Sequence, residues 1–569
     1  MKKAIALTLA LAIPLALAAC GLSVNGGESG AAEQSGANAR SGDPAYNETD
    51  VSYIEEEPET YETGGATEIT FSDSGIEVKE GEYSGYSADG TALSIKESGV
   101  YIVSGSCENG SIVVKKNVKG VTLVLNGLKL CASATAAITC GKGSEVKIFA
   151  AEGSVNDLAD DKYNNDDNYT DENLYPDIEN AVIKCKDGSN VLICGTGTVN
   201  VEANGKNGVK GGYDLYKEDE DGEVTDELVS EASLTIKEVT LNIVCNANDA
   251  LKSDKVLNLL SGNITVSSAD DGIKSDYTLN IGAEGTRGPA VTVEKAAEGI
   301  EAATLNVYSG DIKVNASDDG FNAANSDLNN YSFSYNQYGG YVWVNVTSGD
   351  GIDSNGSINL NGGRLEVYAP SQGDGDPLDS ESGTVFNGAT VLAVGHLGMQ
   401  QRYNAQTPYA EFGGIKSGKG GFSAGRGGAQ SAIVSAGSEL KICDADGNAL
   451  YTAIAVRNAS YVLFASPALE IGAEYTLLSG GEAAASASAA AGSTGGFGPG
   501  QGGFPGGQGG FPGGQGGFPG GQGGFPGEGD GGGRGFPGRR GGQDGSLPEP
   551  PDGGALPGIP EPPENDVSI

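Results

Sequence analysis

Short alternations of apolar and polar residues recur through the middle of the chain, and they come in pairs. Leu234-Thr235-Ile236 is followed by Leu241-Asn242-Ile243, and Leu257-Asn258-Leu259 by Ile264-Thr265-Val266. The same template returns in Leu305-Asn306-Val307 with Ile312-Lys313-Val314, and in Ile358-Asn359-Leu360 with Leu365-Glu366-Val367. A period of two held over about three residues predicts very short strands with one buried face. Between the pairs lies a second signature of small, apolar, polar and small residues. It reads Ala137-Ile138-Thr139-Cys140, Val182-Ile183-Lys184-Cys185, Gly208-Val209-Lys210-Gly211 and Ala250-Leu251-Lys252-Ser253. Gly272-Ile273-Lys274-Ser275, Gly299-Ile300-Glu301-Ala302, Gly320-Phe321-Asn322-Ala323 and Gly351-Ile352-Asp353-Ser354 continue it, with Pro377-Leu378-Asp379-Ser380 a degenerate copy.

The whole unit returns at roughly 21 to 30 residues, the range of solenoid repeats. Three short strands and their turns wind into one coil, and successive coils pair in parallel about 4.8 Å apart. The predicted fold is therefore all-β, a parallel β-helix over residues 67–430, with Ile138, Ile183, Val209, Leu251, Ile273, Ile300, Phe321, Ile352 and Leu378 stacked inside. A propeller would need longer, four-stranded blades, and the leucine and asparagine pattern of a leucine-rich repeat is missing. Residues 431–480 depart from the repeat: Leu440-Lys441-Ile442, an Asp446-Gly447 turn, Tyr461-Val462-Leu463-Phe464 and Tyr475-Thr476-Leu477-Leu478 predict a small antiparallel β segment. Such a segment would cap the open end of the solenoid.

The flanks read differently. Lys2 and Lys3, the apolar stretch Ala4 to Ala16, and Leu17-Ala18-Ala19-Cys20 predict a secretory signal over 1–19. The last four residues resemble a bacterial lipobox, which implies diacylation of Cys20 and a protein anchored to the membrane, outside the cell, without spanning it. Residues 20–66 are rich in Gly, Ser, Ala and Glu and read as a flexible tether. Residues 481–569, with Gly-Gly-Phe-Pro-Gly-Gly-Gln repeats, read as a disordered low-complexity tail. Besides Cys20 there are Cys107, Cys131, Cys140, Cys185, Cys194, Cys245 and Cys443, an odd number without a CxxC pair, read as buried thiols. Composition adds 94 Gly and a formal net charge of -42 with only 34 Lys and Arg. That balance excludes nucleic acid as a partner, because phosphate binding needs basic clusters.

The residue before the small position of the signature is repeatedly acidic: Asp249, Asp271, Glu298, Asp319, Asp350 and Asp376, with Asp270 and Asp318 preceding two of them. Stacked about 4.8 Å apart, two such charges repel by about 0.9 kcal/mol in water and about 3.5 kcal/mol at an effective dielectric of 20. Calcium, a hard cation that takes oxygen ligands, is the expected neutraliser, with Asp249, Asp270, Asp271, Asp318, Asp319 and Asp350 as ligands. Tyr331, Phe333, Tyr335, Tyr338, Tyr341 and Trp343 crowd one stretch, and flat amphipathic rings suit the faces of sugars. Tyr331, Tyr335, Tyr338, Tyr341 and Trp343 are thus the candidate carbohydrate contacts. His396, the sole histidine, sits in a Gly-rich strand end, and no nucleophile motif is present.

Asp271-Gly272-Ile273-Lys274-Ser275, Tyr101-Ile102-Val103-Ser104-Gly105 and Val121-Thr122-Leu123-Val124-Leu125 together resemble a bacterial carbohydrate-binding β-helix family of surface proteins, related in architecture to pectate lyases. The resemblance covers roughly residues 67 to 480. It implies a right-handed parallel β-helix, bound calcium, and binding of plant polysaccharides such as cellulose or pectin without established lyase activity. Asp249, Asp271, Asp319 and Asp350 match its acidic pattern, whereas Glu298 and Pro377 depart from it. The expectation is a monomeric, extracellular, lipid-anchored protein that binds polysaccharide with the help of calcium. A calcium-dependent pectate lyase using Lys252 or Lys274, and a structural spacer or adhesin, are the alternatives.

Overall fold

The computed structural model describes residues 53–79, 81–169, 178–212, 216–218, 224–228, 232–373, 375–397, 403–413 and 431–493. The expected signal, Cys20 and the Phe-Pro repeats lie outside them. Among the described residues the only helical turn is the 3-10 turn Asp166–Asn168; the rest of the regular structure is strand, most of it in one 35-stranded sheet.

Apart from antiparallel pairs near its two ends, that sheet is made of parallel ladders, and each repeat unit gives one strand to each of three of them. The signature segments pair in sequence order: Ile138 with Ile183, Ile183 with Val209, Val209 with Leu251, and Leu251 with Ile273. Ile300, Phe321, Ile352 and Leu378 follow in the same register. All nine residues of this column are at most 3% exposed. Burying each of these side chains is worth about 1.5–3 kcal/mol, comparable per unit with the mutual repulsion of the carboxylates beside the column. The paired alternating runs form the other two ladders, as in Leu257 over Leu234 and Ile264 over Leu241. Cys185 lies in register with Cys140, and all seven described cysteines are free thiols.

The small position of the signature has a steric cause. A Cβ at Gly320 would run into Val344 Cγ1 and the Gly351 carbonyl oxygen, and one at Gly351 into Val367 Cγ1. Outward-facing asparagines add a second stacking device. Asn280 donates to Asn258 (2.9 Å), Asn306 to Asn280 (2.9 Å), Asn336 to Asn306 (3.0 Å) and Asn359 to Asn336 (2.8 Å).

At the C-terminal end parallel pairing stops. Thr390–Gly395 pairs antiparallel with Tyr461–Ala465, and Glu439–Cys443, Ala449–Ile454, Glu474–Ser479 and Glu482–Ser488 form a separate four-stranded antiparallel sheet. Glu482–Ser488 and Ala490–Ser493 fall beyond residue 480, inside the stretch expected to be a structureless tail. Ala487 and Ala489 are buried against the cap, so alanine's small apolar surface suffices there for a strand. At the other end, residues 53–62 of the expected tether lie against the body. Ile54 N–H donates to the Gly285 carbonyl (2.8 Å), Glu59 accepts from Lys147 (2.7 Å) and Lys237 (3.3 Å), and Tyr61 meets Phe149 edge-on.

Candidate functional site: an acidic column with a change of sign beside it

The acidic residues do stack, because the residue before each small position is carried round with the register. The carbonyls of Asp271, Glu298, Asp319, Asp350 and Asp376 each accept the N–H of a small residue in the preceding unit. The carboxylates also bond along the column: Asp319 accepts the Asp350 N–H (2.6 Å), and Asp350 accepts the Asp376 N–H. Part of the hydrogen-bonding need of these two carboxylates is therefore met by backbone, a feature that spacing alone does not reveal.

The polar position of the signature forms a neighbouring column, and its charge reverses along the stack. It reads Lys184, Lys210, Lys252 and Lys274, then Glu301, Asn322, Asp353 and Asp379. In the first half the lysines supply the counter-charge. Lys252 lies 3.8 Å from Asp249, while Lys274 bridges Asp271 (2.7 Å) and Glu301 (2.6 Å). Asp249, Asp270 and Asp271 do converge, with carboxylate oxygens within 4.8 Å of one another, but Asp270 is exposed and the other two already face an ammonium group. This group is a poor fit for a metal ion.

The second half fits better. Asp350, Asp353 and Asp379 bring carboxylate oxygens within 4.8 Å of one another. Asp318, Asp319 and Asp350 line an open pocket of about 370 Å³ closed by Thr347, Ser348 and Gln372. Burial pushes Asp319 up to about 7 and Asp350 to about 8, in each case against the opposing pull of a backbone N–H. Burial, reinforced by Asp379, lifts Asp353 to about 6. Between Glu301 and Asp353, Asn322 donates to Glu298 (2.9 Å), and its buried Oδ1 accepts no hydrogen bond. Carboxylate oxygens gathered this closely are donors of the kind a hard cation takes. Of the six expected ligands, Asp318, Asp319 and Asp350 gather at this pocket. Asp353 and Asp379 were overlooked, although their place in the repeat made them visible as replacements for lysine.

The aromatic set does not form one platform. Tyr335 is fully buried: it falls on the inward parity of Ser334–Gln337, stacks between Leu305 and Ile358, and meets Phe321 edge-on at 5.2 Å. It is a core residue and cannot face a glycan. Trp343 packs against the cap core and Tyr368, with Lys313 over its ring. Arg364 covers Tyr341, and Tyr331 meets Tyr277 and Phe333. Tyr338 is 48% exposed and stacks on Tyr308 with ring planes 8° apart. Of the five candidates, Tyr338 alone keeps nearly half its surface open.

A larger groove lies elsewhere, on the outside of the third ladder, the one that carries Leu241 and Ile264. It encloses about 620 Å³ and runs past Lys129, Asp157, Asn200 and Asn242, with Ala159 and Val244 beside them.

Residues 89–325 match the family model described as carbohydrate-binding domain-containing protein, which supports a carbohydrate-related function. No curated protein matches this chain. Among solved structures, the polysaccharide lyase-like protein from C. thermocellum, determined as a gadolinium derivative, is 21% identical over 56% of this chain and 96% of that one, with a TM-score of 0.32.

Proposed function

We propose that this protein binds polysaccharide outside the cell, anchored through a lipid on Cys20, and that calcium held at Asp319, Asp350, Asp353 and Asp379 assists the binding. The observation that carries the carbohydrate reading is the family match across 89–325. The ion reading rests on the carboxylate oxygens of Asp350, Asp353 and Asp379, which lie within 4.8 Å of one another. The three parallel ladders are read as a right-handed parallel β-helix, since parallel crossovers take that hand almost without exception. Calcium takes six to eight oxygen ligands, roughly, so a site built from a few carboxylates leaves positions for water or for the carboxylates of a uronate chain such as pectin.

The lyase alternative is weakened at Lys274. Burial works against the charge on Lys274, but Asp271 and Glu301 outweigh it and hold the ammonium well above the ordinary lysine value. A group held so firmly protonated is a poor proton acceptor.

Affinity electrophoresis tests the proposal. The full chain is expected to be retarded in gels containing pectin or a soluble cellulose derivative, with the pectin effect weakened by EDTA. Free migration through every plant glycan tried would overturn the proposal.

A further inference from the structure

We infer that the groove on the third ladder, bounded by Asp157, Asn200, Asn242 and Val244, is a second glycan site that takes an extended neutral chain without calcium. The inference rests on the polysaccharide-binding reading above and adds a location and a substrate class to it.

The groove is built by register. Lys129, Asp157, Asn200 and Asn242 face outward at equivalent positions of successive strands. Their spacing is about 4.8 Å, near the length of one pyranose unit. Asn200 donates to Asp157 (2.8 Å) and Asn242 to Asn200 (2.9 Å), which fixes the amides in one orientation. Each amide nitrogen carries two N–H donors, so one remains for a ligand after that bond. Two residues further along the same strands a parallel row reads Cys131, Ala159, Glu202 and Val244, and Val244 is 48% exposed. A rigid polar row beside a second row that offers the apolar surfaces of Ala159 and Val244 and the Glu202 carboxylate between them matches a sugar chain that shows hydroxyls at its edge and C–H groups on its face.

Charge decides the class. The carboxylates of Glu108, Asp157 and Glu202 line the groove, and its one lysine, Lys129, is paired with Asp157 at 2.9 Å. A polyuronate would meet uncompensated carboxylates, whereas neutral hydroxyls donate to them readily. The family match points the same way: all of the groove lies within 89–325, while Tyr331, Tyr338, Tyr341, Trp343 and the Asp350 cluster lie outside it.

The test uses the full chain and two probes, hydroxyethylcellulose and polygalacturonate, each with calcium and with EDTA. Val244→Arg places a long charged side chain in the groove. Val155→Arg, at a position 53% exposed on the same ladder and outside the groove, is the control for folding, checked by thermal melting. Val244→Arg is expected to weaken binding to hydroxyethylcellulose at least tenfold and leave polygalacturonate binding unchanged, with Val155→Arg like wild type. EDTA should not alter the neutral-glycan binding. Wild-type affinity for hydroxyethylcellulose in a folded Val244→Arg protein, or its loss in EDTA, would overturn the groove and leave the polysaccharide-binding reading standing. A wild-type chain that binds neither probe would overturn both.

Discussion

Asp319 and Asp350 sit where two demands collide, since the backbone wants their carboxylates as acceptors while burial penalises their charge. With folded values near 7 and 8, against an ordinary value near 4, the folded chain keeps protons that the unfolded chain has already released. Their stabilising contribution is complete below about pH 4 and is lost as pH rises through 7 to 8. In EDTA the melting temperature should therefore fall between about pH 5 and pH 8.5. Calcium should reverse much of that fall and release protons on binding, measurable by calorimetry in buffers of different ionisation enthalpy. Asp350→Asn should melt higher than wild type in EDTA at pH 8.5, by on the order of 1–2 kcal/mol, and gain little from calcium. A flat melting profile in EDTA would sink this account. At this scale the sequence showed the acids but concealed their counter-charges. Spacing put Lys252 and Lys274 across the apolar residue from the aspartates, yet Lys274 reaches back to Asp271 at 2.7 Å, which one-dimensional distance cannot show. Tyr335 misled for the opposite reason, because its neighbours Ser334 and Asn336 are polar and inward parity shows only once Leu305 is known to lie in register with it.

Individual strands here are hardly stable objects. Ile138–Cys140, Leu251–Ser253, Phe321–Ala323 and Ile352–Ser354 are each three residues long, and each has a buried apolar residue at its start. What makes them strands is the unit above and the unit below, so the repeat was legible from the sequence where any one strand was not. Apolar positions and small positions both obey the period, and the steric demand for the small ones follows from the crowding at Gly320. Gly320→Ala should lower stability by about 1–3 kcal/mol through overpacking against Val344, read as a shift in the urea midpoint. An unchanged midpoint would mean that the units can separate slightly without penalty. The groove on the third ladder was not legible, because its lining residues come from five strands and no motif links them. The strands after residue 480 were missed because an Ala/Ser stretch carries no periodic signal.

The two larger of the three apolar clusters run through the ladders and under the cap. They are joined by a polar bridge at the end of the stack. Arg364 donates to Tyr451 Oη (2.7 Å), and Tyr451 (2.8 Å) and Tyr368 (3.0 Å) both donate to Glu366, which also pairs with Arg364. Tyr451 is 1% exposed, so Tyr451→Phe strips a buried carboxylate of one donor and should cost about 1–3 kcal/mol. Limited proteolysis should then release the segment after residue 431 earlier than in wild type. Equal cleavage rates would show that the apolar contacts of the cap hold it without this bridge.

The short stretch from Tyr53 to Tyr61 alters how such a stack comes apart. In a linear array each unit leans only on its immediate neighbours, and fraying can travel inward from an end one step at a time. Here the Glu59 carboxylate, held below its usual range chiefly by Lys147, also reaches Lys237, and Ile54 reaches Gly285. Units far apart in the chain are laced together along one flank, so the first half of the molecule should open as a single cooperative block.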